Sequence, residues 1–155
     1  MKKIESGRSM IEMLGVLAII GVLSIGGLAG YTMAMNRHKA NNALDYAMKC
    51  AVIAQTTVEN QAIAANTPCN TALYVGEAYP TGSTSITVTR PAATAAAPNP
   101  DTTVTITPAS TAVAGAIASR VGIGSENSAT FTYSVQAAAA NTDNHHGWSA
   151  AAGNP

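Results

Sequence analysis

Charge and aromatic rings are scarce in this sequence. Only 10% of the residues are Asp, Glu, Lys or Arg, and only 5% are aromatic, among them one Phe and one Trp. No cluster of Lys and Arg with interleaved aromatics occurs anywhere, so the chain lacks the footprint of a nucleic-acid-binding surface. There is no Gly-rich phosphate loop, no Cys/His pairing with an orienting acid and no close carboxylate pair, which argues against an enzyme. The C-terminal two thirds is dominated by Ala, Thr, Ser and Asn, side chains that each bury little apolar area. Its 155 residues leave room for one modest domain. Such a domain has a small core and needs additional fastening.

The little charge there is lies unevenly. Residues 1–49 carry Lys2, Lys3, Arg8, Arg37, Lys39 and Lys49 against Glu5, Glu12 and Asp45, a balance of +3, and the remainder of the neutral chain is therefore −3. A basic first third suits the vicinity of an anionic membrane. Between Glu12 and Arg37 lie 24 residues without a formal charge, MLGVLAIIGVLSIGGLAGYTMAMN. As a helix this stretch is about 36 Å long, enough to span a bilayer, and it exceeds the apolar core of a secretory signal peptide. Lys2, Lys3 and Arg8 before the span and Arg37 and Lys39 after it give little positive-inside contrast. Glu12 stands at the head of the apolar run. A carboxylate there is costly unless paired, which makes it a functional candidate with an amine as the expected partner.

Residues Gly7, Arg8, Ser9, Met10, Ile11, Glu12, Met13 and Leu14, followed by GVLAIIGVLSIGG, resemble the N-terminal signature of type IV prepilins and type II secretion pseudopilins. In that family a short basic leader ends in Gly, and a Glu stands five residues further on at the start of the apolar helix. The resemblance implies that MKKIESG is a leader (residues 1–7), cut between Gly7 and Arg8 by a membrane-embedded prepilin peptidase that also methylates the new amine of Arg8. Glycine suits such a cut because an extended backbone must pass the protease without a Cβ in the way. The new amine of one subunit would then neutralise Glu12 of its neighbour inside an apolar filament, setting subunit register through a strong charge pair in a low dielectric. Two departures from the family pattern are visible. Arg8 occupies the position where Phe is common, and Gly26, Gly27 and Gly30 stand in the span where a Pro is often found. These glycines weaken the helix by about 1 kcal/mol each relative to Ala, which predicts bending there on assembly. Gly26, Gly30 and Ala34 also form an i, i+4, i+8 stripe that admits another helix closely.

The expected organisation is a leader (1–7), a transmembrane or filament-core helix (8–36), an amphipathic continuation of that helix (37–65, free of Gly and Pro) and a small head (66–155). Two apolar stripes are expected on the continuation: Leu44, Met48, Ala51, Val58 and Ala62 on one, Tyr46, Cys50, Ile53 and Thr57 on the other. Cys50 and Cys69, the only cysteines, would meet an oxidising environment after export and are predicted to pair across 18 intervening residues. β-Branched alternation predicts strands at Thr84–Thr89, Thr102–Thr107 and Ala129–Val135, with a loop over Ala92–Asp101 and a short helix over Ser110–Val121 stopped by Gly122. The implied class is α+β: a long N-terminal helix on a small antiparallel-sheet head. The tail pair His145 and His146 has no third ligand beside it, so neither a metal nor a cofactor is expected, and Trp148 is expected to cover a sheet edge.

The function implied is a structural subunit of a type IV pilus-like filament, held in the inner membrane before assembly and extracellular afterwards. Its expected partners are copies of itself, other pilins, the prepilin peptidase, and the assembly platform with its ATPase; no nucleic acid is expected. The alternatives are a pseudopilin of a periplasmic type II secretion piston and a minor pilin serving adhesion or DNA uptake.

Overall fold

In the computed structural model, residues 6–57, 61–95, 100–135 and 147–152 are described. Seven elements follow one another: α1 (Ser6–Thr57), β1 (Ile63–Pro68), β2 (Ser83–Arg90), β3 (Thr102–Pro108), α2 (Thr111–Val121), β4 (Ser128–Val135) and β5 (Gly147–Ala152). They make two compact units, one up to Met35 and one from Asn36 onward, so α1 contributes to both. The class is α+β, with a long apolar N-terminal helix and a five-stranded antiparallel sheet.

Strand order in the sheet is the order in the chain, β1-β2-β3-β4-β5, and each neighbouring pair is antiparallel. Alternation along β2, β3 and β4 places Ile86, Val88, Val104, Ile106, Phe131 and Val135 on the buried face. The opposite face carries hydroxyls. Ser85 Oγ donates to Thr107 Oγ1 at 3.0 Å, and Thr105 and Thr132 share a hydrogen bond at 3.2 Å, so β-branched threonines fill the solvent side with their rotamers held. Helix α2 begins on Ser110, whose side chain accepts from the Val113 amide, and ends on Gly122, whose φ of 77° is the left-handed conformation of a helix stop.

The expected helix over 37–65 is too long. α1 is described to Thr57, residues 61 and 62 are no longer helical, and residues 63–65 belong to β1, where Ile63 faces Arg90 across the ladder. Two causes are visible. Thr56 and Thr57 are β-branched, and the Thr56 hydroxyl turns back onto the carbonyls of Val52 and Ile53. The second cause comes from β2, because the Arg90 guanidinium donates to the Ala54 carbonyl at 3.1 Å and to Thr102 Oγ1 at 2.7 Å. The last turn of α1 has no basic residue of its own. Arg90, only 5% exposed, supplies the cation that the carbonyl end of the helix favours.

The expected pair of apolar stripes also needs correction. The buried face is Ala40, Ala43, Leu44, Ala47, Cys50, Ala51 and Ala54, with Tyr46 at its margin, whereas Met48 and Val52 are exposed. Small side chains form the seam because the head lies close to the helix. At Gly82 an added Cβ would overlap the backbone carbonyl of Lys39, so no larger residue fits without displacement.

Candidate functional site

The unit up to Met35 holds the residues singled out for processing and assembly. Gly7 and Arg8 are helical and belong to α1, which is described from Ser6 onward; the first five residues of the expected leader lie outside the described residues. A protease that needs extended backbone would have to unwind α1 at these two residues. Glu12 is exposed one turn beyond Arg8, surrounded in sequence by apolar side chains that are exposed as well. From Met10 to Met33 fourteen large hydrophobic residues are exposed, with Ile11 at 74% and Ile25 at 75%. Burying a side chain of this kind is worth about 1.5–3 kcal/mol, so the segment forgoes tens of kcal/mol unless lipid or another helix covers it. Among the described residues α1 is the one helix long and apolar enough to cross a membrane.

Within this segment the backbone runs through Gly26, Gly27 and Gly30 without interruption, and a Cβ at any of the three would meet nothing within 4 Å. The stripe of Gly26, Gly30 and Ala34 is thus open surface in the single chain. Two polar residues that the sequence reading passed over are accommodated locally. Ser24 Oγ donates to the Ile20 carbonyl at 2.7 Å and Thr32 Oγ1 to the Ala29 carbonyl at 2.9 Å. Such back-bonding hides a hydroxyl from an apolar medium and loosens the helix slightly, next to the glycines.

The second unit fastens its share of α1 to the sheet at several points. Cys50 and Cys69 form the predicted disulfide, with Cα atoms 5.9 Å apart and both residues fully buried. Tyr46 donates its hydroxyl to the Glu77 carbonyl at 2.6 Å, and its ring meets Tyr79 edge-on at 6.0 Å. Burial, with smaller contributions from Tyr79 and Glu77, pushes the Tyr46 hydroxyl above the ordinary tyrosine range. Trp148 lies on the edge strand β5 opposite Tyr133, ring centroids 5.0 Å apart. His145 and His146 are outside the described residues, and no group of three metal-ligating side chains occurs among those described.

Among the described residues these side chains lie in two separate places. They mark two surfaces, an uncovered apolar helix led by a carboxylate and a compact head locked to the helix's C-terminal part. Comparison with protein-family models, curated proteins and solved structures finds no match.

Proposed function

We propose that the chain is a prepilin, the precursor of a structural subunit of a type IV pilus-like filament. The observation that carries this reading is the exposed apolar helix headed by Glu12, five residues beyond Gly7 and preceded by a basic leader. In the membrane, lipid covers that helix. After cleavage between Gly7 and Arg8 the subunit leaves the membrane, and helices of neighbouring copies replace the lipid. The Arg8 amine created by cleavage pairs with Glu12 of an adjacent subunit, and because an unpaired charge in an apolar core is costly, only one axial register satisfies it. The stripe of Gly26, Gly30 and Ala34 lets the helices approach, and the disulfide-fastened head forms the outer surface.

Two experiments test the proposal. Mass spectrometry of the mature protein should find Arg8 at the N-terminus carrying a methylated amine; a mature chain that starts at Met1 refutes the reading. Glu12→Ala should still insert and be processed but yield no filaments, and filaments of ordinary abundance from that variant would eliminate the register role.

A further inference from the structure

The head contains a half-open groove where three segments distant in sequence meet. Asn41, Leu44, Asp45 and Met48 of α1 form one wall, and Arg120 and Val121 from the end of α2, with Trp148 of β5, form the other. Asp45 and Arg120 both line the groove, and among the described residues neither is joined to another by an ion pair or hydrogen bond. Trp148 is partly exposed, and its contact with Tyr133 fixes the indole plane. The groove thus offers a held aromatic surface, a carboxylate acceptor, a guanidinium fork, a carboxamide able to donate and accept, and an aliphatic lining.

We propose that this groove binds an acidic sugar, a pyranose bearing a carboxylate. A pyranose has an apolar C–H face that suits an indole and a rim of hydroxyls that suits Asp45 and Asn41. The carboxylate completes the fit, because guanidinium and carboxylate pair through two parallel hydrogen bonds. Other occupants match less well. An apolar peptide would desolvate Asp45 and Arg120 without pairing them, a neutral sugar would leave Arg120 unmatched, and a polyphosphate would crowd negative charge beside Asp45. The site does not depend on polymerisation, so it stands or falls separately from the filament reading.

The single tryptophan makes the test direct, since all intrinsic Trp emission comes from Trp148. The detergent-solubilised full chain is titrated with galacturonic acid trimer, glucuronic acid disaccharide and a sialyl trisaccharide, alongside neutral galactose trimer and an oligoglutamate peptide. A saturable change in emission is expected with at least one acidic sugar, at concentrations at least tenfold below any response to the neutral trimer. Arg120→Gln should weaken that acidic sugar about tenfold while leaving the melting temperature unchanged, and Arg37→Gln, which removes a charge outside the groove, should have no effect. Absence of a saturable response to all three acidic sugars overturns the proposal. So does an equal response to galactose trimer or oligoglutamate, or unaltered binding by Arg120→Gln.

Discussion

Removing both cysteines, as Cys50→Ala with Cys69→Ala, isolates the contribution of the disulfide to the head. The bond spans 18 intervening residues, and loop-closure entropy for a ring of that size is worth about 3 kcal/mol. A domain of roughly 100 residues loses about 5 °C of melting temperature per kcal/mol, so the double variant should melt about 15 °C lower. The loss should also be local. Cys69 joins β1 to the segment that follows it, its amide donating to the Ile86 carbonyl at 3.0 Å and its carbonyl accepting from Val75 at 3.1 Å. Hydrogen exchange in the detergent-solubilised full chain should therefore speed up at β1 and residues 69–76, while the amides pairing β3 with β4 stay protected. The melt is followed by Trp148 emission at the far edge of the sheet. A shift under about 2 °C, or unchanged protection in β1, would refute the view that the bond holds this edge of the head.

Gly82→Ala should cost about 2 kcal/mol or more in urea unfolding, because the Lys39 carbonyl leaves no space for the methyl group and belongs to backbone that cannot swing aside. Arg90→Met keeps an unbranched stem but abandons Thr102 and the Ala54 carbonyl, with an expected loss of about 2–3 kcal/mol; Arg90→Lys, which retains the charge, should recover part of it in the same assay. For Tyr46 the folded-state pKa lies above the unfolded value of 10.0, so its contribution is complete below that pH and lost as pH rises through the folded value. Tyr46→Phe should lower stability at neutral pH by about 1 kcal/mol, through the bond to Glu77, and flatten the decline in melting temperature above about pH 10.

The strands β2, β3 and β4 were legible in the sequence because Ile86 and Val88, Val104 and Ile106, and Phe131, Tyr133 and Val135 alternate with Thr or Ser. Helix α2 was equally clear from Ser110 and Gly122, which supply their own start and stop. β1 and β5 were hidden for a common reason. IAANTP and GWSAAA are rich in Ala and poor in β-branched residues, so only pairing with β2 and β4 makes them strands. The end of α1 was misread because its cap, Arg90, lies in β2, far along the chain. The buried face of α1 departs from the expected stripe at Met48, which apolar size favoured and which is exposed, because close approach selects alanines. Glu12 and the apolar run needed no tertiary information, since a charge at the edge of a long uncharged segment is a property of the sequence itself. The groove around Trp148 was invisible there, because it exists only once α1, α2 and β5 meet.

The strictly sequential order of the sheet bears on how the head forms. Every strand pairs with the one made just before it, so no segment waits for a partner from the far end of the chain. Loop-closure entropy is thus met in short instalments, and the mean sequence separation of strand contacts stays low for a sheet protein. The head can thus add one hairpin after another, in the order the chain is made, onto the end of α1. The two outermost ribbons differ in consequence. The β1 edge is available early and is secured by a covalent bond, whereas β5 arrives last and is held by backbone pairing and the Tyr133–Trp148 contact, which makes it the natural place for the head to begin to come apart.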